Sequence, residues 1–444
     1  YGYNSSSPTF VFDASIGKWT FNYYAVNQHQ KLIEDAKYNY LYDSGLQTNS
    51  ISETRSWLNN FGNRLNISYE VNDKSTLAIS EYVGNVTIKN KQNSVVETIL
   101  GNDEEAMESN NMIHGPESQF VQQTVAKYIL TTDDKGSKLE VTADYYHQNH
   151  HLKQFEDIDN IRTYENSTQE KTNMFQLYPK YTRKFNGGKE LKVGANYQFI
   201  RYNDETDGLS NDADAHIASA YANFTGMTKS LMYSAGLTLQ YNRMDVQTAQ
   251  ETTFFDDVYL CPQANFMWMI NPQKGRMLGV LYQCSVSDMP YSAINGYKNF
   301  STPYHYTTGN PNLITPTTHE VMARIAVNRH ISMMLVYGHE INPIYYEHGV
   351  DAQNESITWS RPENGEYRRM MGARVEFTYK PTKWWNTKVQ AAAMQDYFKS
   401  KTETLKGQWG GKFWWNNNFN FTSTLGGSLN AYWETATSFE NYNW

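Results

Sequence analysis

Apolar and polar residues alternate at period two in about eighteen segments of this chain. In residues 231–241, Leu231, Tyr233, Ala235, Leu237, Leu239 and Tyr241 fall on one parity, and Ser234, Gly236, Thr238 and Gln240 on the other. Residues 139–145 set Val141 and Ala143 against Glu140, Thr142 and Asp144. Residues 191–199 set Val193, Ala195 and Tyr197 against Lys192, Asn196 and Gln198. Successive side chains of a strand point to opposite faces, so each segment has one apolar and one wet face. Each runs roughly ten residues or more, enough for a tilted strand to cross a bilayer.

The links between segments are alternately short and long. Short ones fall near residues 17–18, 72–74, 133–136, 186–188, 229–230, 271–275, 329–330, 380–383 and 422–424, several with the Asn, Asp, Gly or Pro that turns demand. Long polar stretches occupy 34–56, 91–117, 150–170, 203–214, 289–316 and 347–366. Tight turns on one rim and long loops on the other are the pattern of bacterial outer-membrane barrels. The expected fold is therefore all-β, a large antiparallel transmembrane β-barrel, with residues 1–444 as one domain.

Composition agrees. Only 39% of the 444 residues are hydrophobic, too few for a bundle of membrane helices, yet 15% are aromatic and 34 are Tyr. A barrel needs every second residue apolar and gathers Tyr and Trp at both membrane interfaces. A secreted all-β carbohydrate-binding protein shares this composition and predicts a chain soluble without detergent. The net charge of −8 and the absence of a basic, aromatic-interleaved patch exclude nucleic acid as a partner.

Mid-strand charges at Arg64, Glu70, Lys180, Arg324, Arg374, Glu376, Lys388 and Lys412 share the polar parity and are expected inside. On the lipid side each would cost about 2–4 kcal/mol at mid-bilayer. Pro179 and Pro262 remove ladder donors within strands, which predicts bulges. Cys261 falls on the polar parity and Cys284 on the apolar one, so the two are expected on opposite faces and unbonded.

From Val258 the residues become specific. Ser285-Val286-Ser287-Asp288-Met289-Pro290-Tyr291 leads into Tyr304-His305-Tyr306-Thr307-Thr308-Gly309-Asn310-Pro311-Asn312-Leu313 and then Thr318-His319-Glu320. This resembles the outer membrane β-barrel family of Bacteroidota TonB-dependent receptors, whose strands lead through an R-P-x-Y stretch into a G-N-P-x-L-x-P-E loop. The motif resemblance covers about 258–347. Asp288-Met289 replaces the usual Arg, and Ile314-Thr315-Pro316-Thr317 replaces Lys-Pro-Glu. The resemblance implies a 22-stranded barrel around an N-terminal plug. About eighteen strands here then imply an incomplete barrel, with the plug absent and open edges at 10–16 and 425–433. It also implies residence in the cell outer membrane among its lipid, a TonB complex acting through the missing plug, and room for a surface lipoprotein partner. The function implied is transport of a metal chelate, glycan or peptide; a surface receptor or adhesin barrel without transport is the alternative.

Candidate chemistry is sparse. In the family loop motif, Gly309 and Asn310 tolerate left-handed backbone, and Pro311 and Pro316 stiffen the return. The loop aromatics Tyr291, Tyr304, Tyr306 and Trp359 are candidates to stack on a ligand, with loop-to-loop packing the competing role. Asn203, Glu205, Asp207 and Asp214 loosely follow calcium-loop spacing around Gly208, against an ordinary acidic loop. His147, His150 and His151 form a further cluster, read as either metal ligands or a solvated loop base. No other cofactor is expected. Enzymatic motifs such as G-x-S-x-G, P-loop, H-E-x-x-H and CxxC are missing, so no enzyme is expected.

Overall fold

A computed structural model describes the chain except Tyr1, Asp207, Gln408, Ser423 and residues 42–45, 101–106, 248–251, 288–290, 295–297, 303–304, 354–356, 402–403 and 436–444. The described residues form a 20-stranded sheet and a separate 4-stranded sheet. Every ladder of the large sheet is antiparallel, and its order around the wall follows chain order. Two wall positions are each filled by two segments. Gly2–Ser6 and Thr9–Ile16 both pair with Trp19–Leu41, and Thr404–Lys406 and Gly410–Asn420 both pair with Trp385–Lys399. The wall thus has eighteen positions, the number that the hydropathy rhythm predicts.

Alternation sorts the two faces chemically. Val193 lies opposite Ala222, Ala222 opposite Leu237 and Leu237 opposite Pro262. Farther round, Val280 meets Ala323, Ala323 meets Leu335, and Leu335 meets Ala373. This apolar band carries many exposed side chains, including Leu239 at 50% and Val375 at 41%. It is the lipid-facing surface of a barrel. Charges on the other face find partners across strands. Lys180 reaches Glu140 at 2.6 Å, Lys388 reaches Glu376 at 3.1 Å, and Lys412 reaches Glu434 at 2.6 Å. Near the short turns the aromatics gather, as where Trp384, Trp385, Phe419 and Phe421 pack together.

Three expectations need correction. The polar stretches 34–56, 91–117, 150–170 and 203–214 are mostly strand, not loop. Leu46–Asn72 is 27 residues long and Ser75–Leu100 is 26, against about 9–11 needed to cross lipid. These hairpins continue their pairing beyond the membrane, one of them closing at Asp159 and Asn160 with φ of 50° and 66°. Neither Pro179 nor Pro262 produces a bulge, and the ladder from Leu231–Gln247 runs through Leu237↔Pro262 without a register shift. The ladder from the Pro179 strand to the next skips that residue but resumes in the same register, from Leu177↔Tyr197 to Lys180↔Gly194.

Nor are the cysteines kept apart by opposite faces. Pairing between Thr252–Asn271 and Arg276–Val286 is recorded only up to Gln263↔Gln283, one residue short of Pro262, which has no N–H to donate. Past that point the two strands share no ladder, although Cys261 stays in register with Thr238 and Cys284 with His319, and the two free thiols lie with their Sγ atoms 3.2 Å apart.

At the ends of the sheet, Thr9–Ile16 pairs only with Trp19–Leu41, and Gly426–Glu434 only with Gly410–Asn420. Among the described residues no ladder joins these two strands.

Candidate functional site

The 4-stranded sheet lies at the rim opposite the short turns. It is built from two long connections: 287–316 supplies Asn299–Thr302 and His305–Thr307, and 342–366 supplies Ile344–Val350 and Thr358–Asn364. Ile344–Val350 and Thr358–Asn364 form an antiparallel hairpin, and His305–Thr307 adds in parallel to the latter.

This unit folds inward. Ala293, Ile294 and Leu313 are buried to 7%, 0% and 2% exposure against Ala213 and Val246 of the wall, with Tyr202 and Met244 packed beside them. Those four wall residues have the parity opposite to Val193, Leu237 and Leu239, which places them on the interior face. The two connections therefore close over part of the barrel mouth.

The family loop motif is the hinge of that arrangement. The backbone N–H of Asn310 donates to the Ala293 carbonyl at 2.7 Å, and its side chain donates to the Pro362 carbonyl at 3.1 Å. Its Oδ1 accepts from the N–H of Asn312 at 3.0 Å. Gly309 is buried and Pro311 half-buried beside it. Asn364 then clamps the two connections together. It accepts from the Ile314 N–H at 2.7 Å and donates to the carbonyls of Ile314 and Asn342, both at 2.9 Å. Sequence reasoning missed Asn364, because a lone Asn in a polar stretch carries no signal of its own.

Of the loop aromatics, Tyr306 is only 6% exposed, and its hydroxyl donates to Asp351 Oδ2 at 2.9 Å. Lys298 reaches the same oxygen at 2.7 Å and lies 4.5 Å from the Tyr306 ring centre. These contacts, the Lys298 ammonium first, hold the Asp351 carboxyl well below the usual carboxylate range. Tyr306 is thus a strut between connections. Trp359 is half-buried, donates its indole N–H to the Val350 carbonyl at 3.0 Å, and carries Arg361 5.4 Å from its ring centre. Tyr304 and the Tyr291 side chain lie outside the described residues.

A second polar strut runs through His305. Its Nδ1 meets Thr358 Oγ1 at 2.9 Å and its Nε2 meets Ser360 Oγ at 3.1 Å, and Ser360 also contacts His348 at 2.8 Å. Burial, and then the neighbouring His348, push the His305 imidazole below its ordinary value. The unfolded chain therefore binds more protons than the folded sheet at pH just below about 6.5. The small sheet should lose stability as pH falls through that value. Limited proteolysis at pH 7.5 and 5.5 checks this: cleavage in 299–364 should rise at the lower pH, and His305→Gln should flatten the response. Equal cleavage of the native chain at both pH values would contradict it.

The proposed calcium ligands occupy a hairpin instead of a wrapped loop. Asn203 sits opposite Asp212 and donates to it at 2.6 Å, and Arg201 forms a two-pronged ion pair with Asp214 at 2.8 Å. Glu205 is exposed, and Asp207 lies outside the described residues. His150 bridges Glu117 and Glu170 at 3.1 Å each, and His147 contacts Asn173 at 2.8 Å. Among the described residues no group of three or more His, Cys, Asp or Glu is gathered to hold a metal.

Two concavities lie along the wall. One of about 580 Å³ lies among the strand tops and includes Asp35, Glu53, Lys91 and Asp157. The other, about 350 Å³, lies on the interior wall, where Met334, Met370, Met394 and Trp414 surround Arg374 and Lys412.

Comparison with known proteins gives a family match over residues 130–443, to the outer membrane protein beta-barrel family. No curated protein sequence matches the chain. Among solved structures, the siderophore receptor PirA from Pseudomonas aeruginosa is similar with a TM-score of 0.52 at 10% identity, over 96% of this chain and 75% of that one. The copper transporter OprC gives 0.54 at 10% identity, over 95% and 72%. FpvA of P. aeruginosa, in complex with a ferric pyoverdine, gives 0.54 at 10% identity, over 95% and 62%. At such identities the likeness concerns the fold alone.

Proposed function

Because the chain belongs to the outer membrane protein beta-barrel family and so resides in the outer membrane, we propose that it forms the barrel of a TonB-dependent transporter. In this reading the extracellular connections and a plug outside this chain bind the ligand, and a TonB complex pulls the plug to open a path. The observation that carries the reading is the pair of connections folded into the mouth and packed on the interior wall. A barrel that only presents loops to the outside has no need to pack them inward. The charged interior supports the same reading, since a polar lumen lets a hydrophilic ligand pass.

The ligand class we put first is a metal chelate, because similar barrels include a siderophore receptor and a copper transporter. Trp359 is the aromatic best placed to meet it, being half-buried at the small sheet where Tyr306 is internal. Uptake of radiolabelled ferric chelates by cells carrying the full gene tests the proposal. Native cells should accumulate one chelate class in a TonB-dependent manner. Trp359→Ala should weaken binding roughly tenfold, about the value of one aromatic stacking contact. Ligand capture that persists without uptake, and without dependence on TonB, would favour a surface receptor instead.

A further inference from the structure

The lipid-facing side of the wall ends, toward the outer rim, in a row of basic and polar residues that includes the cations Arg369 and Lys406. Reading across strands from Arg276–Val286 to Thr404–Lys406, the register aligns Cys284, His319, His339, Arg369, Tyr397 and Lys406. They share the parity of the lipid-exposed band, because the row one step nearer the short turns is Tyr282, Val321, Tyr337 and Met371. Val321, Tyr337 and Met371 there are 40–44% exposed. One step farther out lie Thr317, Ile341, Tyr367 and Lys399. Among the described residues these three rows contain no Asp or Glu.

Cross-strand neighbours in such a row stand about 5 Å apart, so His319, His339 and Arg369 fall within about 10 Å of one another. Arg369 is exposed, and among the described residues no carboxylate pairs with it. Its guanidinium lies 4.4 Å from the Tyr367 ring centre, and Tyr367 stacks on Tyr397 at 5.9 Å. Glu366, the nearby carboxylate, is held by Lys399 at 2.5 Å. On the interior face the neighbouring Arg368 is paired with Asp396. The Arg368 charge on the interior is thus neutralised by a carboxylate, whereas the outward Arg369, His319 and His339 have aromatic neighbours, Tyr367 and Tyr282.

We propose that His319, His339, Arg369 and Lys406 hold the phosphorylated headgroup of a lipid in the outer leaflet. The position selects the source. The row caps an apolar surface that lies in hydrocarbon, so an acyl chain packed on Tyr337 and Met371 brings its headgroup to this height. A guanidinium fixed over an aromatic face offers a planar pair of donors to phosphate oxygens, and the Tyr belt marks the interface depth. Basic residues just outside the hydrocarbon layer attract anionic lipid in the same way. This goes beyond the transport reading and stands on the outer-membrane location alone.

Native mass spectrometry of the full-length protein from mild detergent, titrated with bis-phosphorylated lipid A, tests it. The native protein should retain the lipid, and the double variant Arg369→Gln/Lys406→Gln should bind it at least about tenfold more weakly. Lys229→Gln, in a short turn at the opposite rim, should bind as the native protein does. Dephosphorylated lipid A should bind the native protein as weakly as intact lipid A binds the variant. Should the double variant fail to show heat-modifiable migration, Lys406→Gln alone and the dephosphorylated lipid carry the test. Equal binding of the two lipids would overturn the proposal. So would full displacement by millimolar inorganic phosphate, which would mark a site for the free anion.

Discussion

Leu239→Arg is expected to destabilise the wall by roughly 2–4 kcal/mol, while Gln240→Arg, one residue along, should cost well under about 1 kcal/mol. Leu239 is half-exposed in mid-strand, opposite Ala220 and Leu260. An arginine there must leave its charge in hydrocarbon or bend toward an interface. Gln240 sits opposite Ser219 and Tyr259 and donates to Asn242 at 2.9 Å, on the face where Lys and Glu already pair. A cation added there keeps its hydration. Urea unfolding of the protein in lipid vesicles measures both, and the loss of heat-modifiable migration gives a second reading. Because a strand shifted by one residue exchanges its two faces, the pair of variants is a direct test of register. Equal losses for the two, or a larger loss for Gln240→Arg, would mean that the apolar band does not face lipid.

Register was legible in the sequence because one face of each strand must satisfy lipid. Val193, Leu237 and Val375 are apolar for that reason, and the alternation survives wherever the strand lies in the membrane. Above it the constraint disappears. Leu46–Asn72 and Ser75–Leu100 keep their pairing through polar residues on both faces, such as Asn49↔Glu97 and Ser52↔Ser94. Hydropathy cannot tell such a ladder from a loop, so from sequence alone the strand tops look like loops. The calcium spacing failed to anticipate its setting for the same reason: residues 203–214 have loop-like composition but pair as a hairpin. The cysteines show the converse limit. Parity separates two side chains across a ladder only where that ladder holds, and the one between the two cysteine strands stops at Gln263↔Gln283, short of both cysteines.

The candidate site was legible only as a location. Gly309 to Leu313 marked a structured connection, but nothing in that motif names its contacts. Leu313 packs on Ala213 and Val246, about seventy to one hundred residues earlier in the chain. Asn364 joins Ile314 and Asn342 across 50 and 22 residues. Such contacts follow from the curvature of the wall, which brings strands distant in sequence to one mouth, and period-two patterns do not encode them.

Leu313→Ala is expected to release the mouth without weakening the wall. Leu313 is 2% exposed in the cluster with Ala293 and Ile294, and its truncation leaves a cavity where the connection meets the interior face. Deletions of this kind cost about 2–5 kcal/mol when the site cannot collapse. Besides Leu313, the connections meet the wall through Ala293, Ile294, Ile344 and Tyr345 on Phe398, none of which the wall's own ladders depend on, so most of that loss should appear as local opening of 287–316 and 342–366. Asn364→Ala should act on the same unit through a different bond. It removes both halves of the clamp on Ile314 and the bond to the Asn342 carbonyl, at about 1–3 kcal/mol for polar groups left without partners. Hydrogen exchange read by mass spectrometry separates the two regions. Amides of 305–316 and 344–364 should exchange faster in both variants, while those of Lys189–Thr206 and Leu231–Gln247 keep their protection below the rim. Ligand binding should weaken together with the opening if the folded connections form the receiving surface. Faster exchange throughout the wall would show that the small sheet is part of the barrel's own stability, and a gate at the mouth could not then move independently of it.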